Sequence, residues 1–188
     1  TIELRTLTEA VKRFEELTGQ EVDVEEAAIA AAFKKVAADE LAALLPLEAR
    51  LSANRLPPLE AVSDYRSALQ TAVDSASDDC VRILAGEGKS LKELRDQVLR
   101  LKQATTDQGL QTLRWARQVF DGMWPEVAAR LEGEDGLAEK AQTLQADLAG
   151  DQFYLRLDAI RTAADAIETT YRQRYEDLHL RRGGVYAA

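Results

Sequence analysis

Apolar residues recur at steps of three and four along almost the whole chain, the spacing that places side chains on one face of an α-helix. Strong helix formers, mainly Ala, Leu, Glu, Arg and Gln, fill the stretches between turn signals. Alternating runs of β-branched and aromatic residues, typical of strands, are nearly absent. This pattern predicts an all-α fold, and long helices with short turns favour an elongated antiparallel helical bundle.

Several helix boundaries carry recognisable end signals. Three residue pairs have the spacing of a capping box, in which a side chain at the helix start accepts a backbone N–H: Thr6 with Glu9, Asp23 with Glu26, and Ser90 with Glu93. Gly19 and Asn54 are predicted to end the first and second helices. Pro46 predicts a kink or short break at Leu45, because proline lacks the N–H that the helix needs.

The middle of the chain is predicted to contain one helix from the Pro57–Pro58 pair to about Leu84, with a bend over the polar span 74–79. A turn at Gly86-Glu87-Gly88 then precedes a helix ending near Ala104. One helix is predicted to follow Thr105–Asp107, and a short one is predicted to start at Trp124-Pro125. Another is predicted to cover about 137–149. The alternation of turn residues and apolar stripes thus indicates six or seven helices in total, of which the last is long.

The last helix is predicted to begin after Asp151 and to reach about Arg182. Its apolar residues follow a seam typical of a bundle or coiled coil: Phe153, Tyr154, Leu157, Ile160, Ala164, Ile167, Tyr171, Tyr175 and Leu178. The whole chain, 1–188, is interpreted as one helical domain, and the Gly133–Gly136 linker allows a subdivision into 1–132 and 137–188. The chain begins with Thr1 rather than Met, and no clear helix-ending signal follows the last helix. We therefore expect a fragment of a larger protein.

Composition limits the chemistry that the chain can carry. Its 188 residues contain one Cys, Cys80, and one His, His179, and the net charge is −9. One Cys cannot form an internal disulfide or a thiolate zinc site, and the lack of a long apolar run argues against a membrane span. We therefore expect a cytoplasmic protein with no catalytic residues, no metal and no cofactor in this chain.

One string resembles part of a nucleotide-binding loop. Gly88-Lys89-Ser90 copies the end of a P-loop, but that loop also needs a glycine five positions earlier, where this chain has Ile83. A strand must precede a P-loop, whereas a helix is predicted here. Ser90 is therefore interpreted as a helix cap rather than as a phosphate ligand.

The end of the chain offers the best candidate surface for a partner. Basic residues alternate there with tyrosines, and the candidate partner-binding residues are Tyr171, Arg172, Arg174, Tyr175, His179, Arg181 and Arg182. Such a face fits a protein partner, self-association or nucleic acid, although the tyrosines also fit the helical seam. Trp115 lies between Arg114 and Arg117 and is interpreted as an interhelical anchor in preference to a base-stacking residue.

Two short strings resemble a known family. They are Tyr171-x-x-x-Tyr175-Glu176-x-Leu178-His179 followed by Arg181-Arg182 and Tyr186, and Phe14-Glu15-x-Leu17-Thr18-Gly19 followed by a long Ala-rich helix. Together they resemble the helical region after the ATPase core in the large P-loop proteins of BREX-type bacteriophage-exclusion systems. The resemblance implies part of a cytoplasmic bacterial defence ATPase. Its ATP-binding residues would lie elsewhere in the parent protein, because the P-loop pattern fails at Ile83.

The leading functional hypothesis is a non-catalytic scaffold or interaction domain that contacts other domains of its parent. Two alternatives remain open. The first is a nucleic-acid-binding module that uses the Arg/Tyr face of the last helix. The second is a bundle enzyme with a carboxylate metal site, for which Glu176 and His179 have Glu-x-x-His spacing but no second copy exists.

Overall fold

The computed structural model of this chain describes residues 2–57, 59–131 and 136–176. Throughout that part the regular elements are helical, so the predicted all-α class is confirmed. The α-helices are α1 (Leu4–Thr18), α2 (Glu26–Ala53), α3 (Glu60–Asp74), α4 (Ser77–Ala104), α5 (Asp107–Gln118), α6 (Trp124–Ala129), α7 (Leu137–Ala149) and α8 (Leu157–Thr170). Two π-helical segments follow α5 and α8, at Val119–Met123 and Tyr171–Glu176, and a 3-10 turn spans Phe153–Leu155.

The chain divides into two compact units, Thr1–Lys102 and Gln103–Ala188. The first holds α1 to α3 and nearly all of α4, and the second holds the last residues of α4 and all later elements. This boundary differs from the subdivision that the sequence allows at Gly133–Gly136, where residues 132–135 lie outside the described part.

The core of the first unit is built from the stripes that the sequence indicates. Phe14 of α1, Phe33 of α2 and Tyr65 of α3 are almost completely buried. Each large apolar side chain removed from water contributes about 1.5–3 kcal/mol, which offsets the entropy lost when the helices are ordered. Leu45 is an exception among the apolar residues of α2, because it is 61% exposed whereas the neighbouring Leu44 is buried.

Most predicted helix ends are correct. Gly19 closes α1 in the left-handed region, at φ 71°, and its N–H donates to the Glu15 carbonyl at 2.7 Å. Asn54 closes α2, Gly150 closes α7, and Thr106 caps α5 by accepting the Gly109 N–H at 3.3 Å. Of the kink or short break predicted at Pro46, the break is wrong, since α2 runs through the proline as one helix, and the kink stays a prediction.

The three predicted capping boxes are wrong. α1 begins at Leu4, so Thr6 lies inside its first turn, and α2 begins at Glu26 after a bend that contains Asp23. Ser90 lies in the middle of α4. α1 and α4 begin upstream of their predicted caps, since good helix formers extend α1 and the buried Val81 and Leu84 extend α4. α2 instead begins downstream of Asp23.

α4 replaces both the predicted turn at Gly86–Gly88 and part of the predicted third helix. The chain breaks at Ser75, within the span 74–79 where a bend is predicted, and α4 then runs unbroken from Ser77. The Ser75 carbonyl accepts a hydrogen bond from Lys34 Nζ. Val81, Leu84 and Leu91 are buried on one continuous face of α4. Burial of that face outweighs the cost of two glycines, each about 1 kcal/mol relative to alanine.

The two glycines of α4 lie in opposite environments. Gly86 faces open space, whereas a Cβ on Gly88 would lie 2.6 Å from Cβ of Arg13 in α1. Gly88 therefore allows α1 to approach α4 closely.

Alanine at these two positions should give opposite results. Gly86→Ala is expected to raise the free energy of unfolding by roughly 0.5–1 kcal/mol, because alanine favours a helix. Gly88→Ala is expected to lower it by about 1–3 kcal/mol through overpacking against α1. Urea denaturation of the two variants measures both changes in the free energy of unfolding. A Gly88→Ala variant more stable than the unmodified chain would show that α1 and α4 are not in close contact.

The predicted last helix begins later than expected. After Asp151 the chain forms the 3-10 turn at Phe153–Leu155, and α8 starts only at Leu157. The buried ring of Phe153 packs edge-on against Tyr154 at 5.9 Å, and this contact belongs to the turn rather than to a helical seam. α8 continues as the π-helical segment to Glu176, and the predicted end near Arg182 lies outside the described residues.

Candidate interaction site

The predicted partner-binding residues begin in the π-helical segment that follows α8. Tyr171 is half-buried there, and the Arg172 and Arg174 side chains are exposed. Tyr175 belongs to the same segment, whereas His179, Arg181 and Arg182 lie outside the described residues. Within the second unit this segment packs against α6. π-helical turns occur often at functional sites, because they shift side chains out of the regular helical register.

Glu168 of α8 connects this segment to α5. Its Oε2 accepts a hydrogen bond from the indole Nε1 of Trp115 at 2.6 Å, and its Oε1 lies 3.5 Å from Nε of Arg172. The Glu168 side chain is 23% exposed and that of Arg172 is 53% exposed. We call these three residues the Trp115 cluster.

The Trp115 cluster confirms one prediction and shows one omission. The indole contacts α8, as expected for an interhelical anchor that buries its ring and pairs its N–H. Glu168 was not among the sequence candidates, although its i,i+4 spacing to Arg172 is a recognisable ion-pair signal on a helix. Glu168 therefore contacts Trp115 of α5 and also lies beside the guanidinium of Arg172, whose charge it partly offsets.

This arrangement suits recognition by hydrogen bonds and charge. A guanidinium presents several N–H donors in a planar fork that matches carboxylates and other oxygen acceptors. In the described ranges no group of three or more His, Cys, Asp or Glu side chains is placed to hold a metal ion.

A second polar cluster, which we call the Tyr65 cluster, lies in the first unit. Glu40 of α2 accepts from the Tyr65 hydroxyl at 2.9 Å and from Nε of Arg95 at 3.1 Å, and Arg95 also donates to the Leu17 carbonyl. These contacts tie α1, α2, α3 and α4 together. Burial, followed by the charge of Glu40, raises the pKa of the Tyr65 phenol far above its ordinary value.

Cys80 is fully buried in α4, and burial raises the pKa of its thiol while the charge of Lys34 opposes that shift. A thiol held protonated and away from solvent is a weak nucleophile. The geometry therefore favours a packing role for Cys80.

The P-loop-like string Gly86–Ser90 lies inside α4. Backbone N–H groups in a helix interior are bonded within the helix, so they cannot surround a phosphate as a P-loop does. This geometry agrees with the mismatch at Ile83.

The fold and the Trp115 cluster define an all-α protein with a polar, partly charge-balanced surface site. Comparison with protein-family models, curated proteins and solved structures finds no match to this chain. Among the described residues no helix has both the length and the apolar character needed to cross a membrane.

Proposed function

We propose that this chain is a non-catalytic helical scaffold and interaction module whose partner surface is the Arg/Tyr segment starting at Tyr171. The observation that carries the proposal is that polar side chains in both units form hydrogen bonds between helices. The Tyr65 cluster and the Trp115 cluster both join helices to one another. Polar groups committed in this way stabilise a rigid support, which is what a module that positions a surface requires.

Other polar contacts support the same role. Arg66 of α3 pairs with Glu48 of α2, and Arg117 of α5 donates to the Leu148 carbonyl of α7 at 3.3 Å. In our proposal the helices pack as an antiparallel bundle, and the module belongs to a larger cytoplasmic protein. A defence ATPase, as the resemblance implies, is the proposed parent.

We propose an acidic protein surface as the partner. From Tyr171 onward the sequence contains four arginines and two acids, in a chain whose net charge is −9. This local basic excess favours association with an acidic surface, including that of another copy of the chain. A nucleic acid is the weaker candidate, because proteins that bind a phosphate backbone concentrate many Lys and Arg residues on one face, whereas this segment contains only four arginines together with two acids.

The partner surface can be tested with two anionic polymers and one matched pair of variants. At low salt we expect fluorescent polyglutamate to bind the whole chain more tightly than a single-stranded oligonucleotide of similar charge does. Replacing both Arg172 and Arg174 by alanine is expected to weaken polyglutamate binding roughly three- to tenfold, since each exposed ion pair contributes about 0.2–1 kcal/mol. Fluorescence anisotropy titrations measure these affinities.

The control removes two arginines of similar exposure, Arg156 and Arg161, which are 50% and 52% exposed and lie outside the proposed surface. We expect this double variant to bind polyglutamate as the unmodified chain does. Equal losses in both double variants would contradict a localised surface. Tighter binding of the oligonucleotide would instead support the nucleic-acid function.

A further inference from the structure

The corner between α2 and α3 contains a pocket of about 400 Å³, far from the Arg/Tyr segment in sequence. Its apolar lining comes from Leu51, Leu56, Leu59 and Val62, of which all but Leu56 are buried. Glu48, Arg66, Ser52 and Ser63 contribute the polar residues of the wall. An apolar cavity with a few polar groups, in the range of roughly 300–1,000 Å³, is typical of small-molecule sites in proteins.

The walls of the pocket are held by specific backbone geometry. α2 ends in a Schellman turn, in which the Leu56 N–H donates to the Leu51 carbonyl and the Arg55 N–H to the Ser52 carbonyl, both at 3.1 Å. Arg55 occupies the left-handed region at φ 54°, where glycine is the usual residue. A strained non-glycine residue beside a pocket indicates a backbone held in place by its surroundings, as is common at binding sites.

An ion pair holds the opposite wall. Nε of Arg66 donates to Oε1 of Glu48 at 2.9 Å, and the neighbouring Nη2 contacts the same oxygen. Both side chains are 37% exposed, so the pair lies at the edge of the pocket. Because the Schellman turn and the ion pair hold two of the walls without a ligand, they lower the entropy cost of ordering the pocket on binding.

The ion pair also selects the charge of the ligand. An anionic head group would compete with Glu48 for Arg66, and a cationic one would compete with Arg66 for Glu48. A neutral hydroxyl or amide can hydrogen-bond to the serines or to the pair without breaking it. The apolar lining in turn favours an aliphatic or aromatic body.

We propose that this pocket binds a small neutral amphipathic molecule, with an apolar body between the Leu51–Leu56 turn and α3 and a hydroxyl or amide head at the Glu48–Arg66 edge. This binding is independent of the partner role of the Arg/Tyr segment. It assigns the chain a second, small-molecule site in the first unit.

Three ligands with one alkyl chain and different heads provide the test: 1-octanol, octanoate and octylammonium at neutral pH. Titration into the ¹⁵N-labelled whole chain should give saturable shifts of the amide signals of Leu51, Leu56 and Val62 with octanol. The two ions should bind at least roughly tenfold more weakly, because each must displace a charged partner in a partly desolvated site. Equal affinity for all three heads would overturn the proposed neutral-ligand specificity.

Two serines of α3 provide a matched pair of variants. Ser63 lines the pocket and Ser67, one turn later, does not, and both are exposed. Ser63→Phe should fill the mouth and weaken octanol binding by roughly tenfold or more, whereas Ser67→Phe should leave it unchanged. Circular dichroism checks that both variants remain helical. Absence of saturable binding by the unmodified chain, or equal loss in both variants, would overturn the proposal.

Discussion

Replacing Gly109 by alanine is expected to lower the free energy of unfolding by about 3 kcal/mol, because the new methyl group meets backbone rather than a movable side chain. A Cβ at this position would lie 1.9 Å from the carbonyl oxygen of Ala104, at the corner where α4 ends and α5 begins. The same corner holds the N-cap bond from the Gly109 N–H to Thr106. Relief of the clash would pull this bond apart. Thermal or urea unfolding of the variant measures the loss.

The control is Gly122, an exposed glycine of the same unit at which a Cβ would meet nothing within 4 Å. Gly122→Ala should be neutral or stabilising by up to about 1 kcal/mol. If Gly109→Ala were as stable as this control, the described corner between α4 and α5 would be incorrect.

The second large effect is expected at Glu40, the acceptor at the centre of the Tyr65 cluster. Glu40→Ala removes the acceptor that the Tyr65 hydroxyl and the Arg95 guanidinium share. Tyr65 is 1% exposed, and Arg95 is half-buried. Unpaired buried donors cost about 1–3 kcal/mol each, so we expect the free energy of unfolding to fall by about 2–3 kcal/mol. Asp39→Ala, at the exposed neighbouring residue, should change it by less than about 0.5 kcal/mol.

The same cluster predicts a pH dependence. Because the pKa of Tyr65 is raised in the folded protein, its contribution to stability is complete below the unfolded value of about 10 and is lost as the pH rises above it. Tyr65→Phe should therefore unfold with a shallower decline above pH 10 than the unmodified chain. Identical pH profiles in alkaline urea titrations would contradict the burial of the phenol beside Glu40.

The sequence predicts the helices better than it predicts where they begin. Residues that stop a helix act locally: Gly19 adopts a positive φ, and Gly150 ends α7 where expected. Helix starts depend also on tertiary contacts, and the buried Val81 and Leu84 extend α4 upstream of the local capping signal at Ser90.

The glycines of α4 illustrate why tertiary information is needed. Gly86 and Gly88 together suggest a turn, yet Gly88 is required by the approach of Arg13 on another helix, 75 residues earlier in the chain. The residues that neighbour Gly88 in sequence do not indicate this contact with Arg13. The same limit applies to the Tyr65 cluster, whose members Tyr65 and Arg95 meet Glu40 across separations of 25 and 55 residues.

The candidate site was partly visible in the sequence. The alternation of Tyr and Arg after residue 170 indicates a surface with partners, and the i,i+4 spacing of Glu168 and Arg172 is local. The contact between Trp115 and Glu168 depends on how α5 packs against α8, and local sequence does not indicate it. The binding role of this segment and the parent ATPase stay predictions.

The most direct test of the central claim is phosphate release from Mg-ATP by the purified chain. A non-catalytic module predicts no release above the protein-free blank at any chain concentration. Release that increases in proportion to the protein, and that disappears in Lys89→Ala, would contradict the proposed role and would give the P-loop-like string in α4 a chemical function.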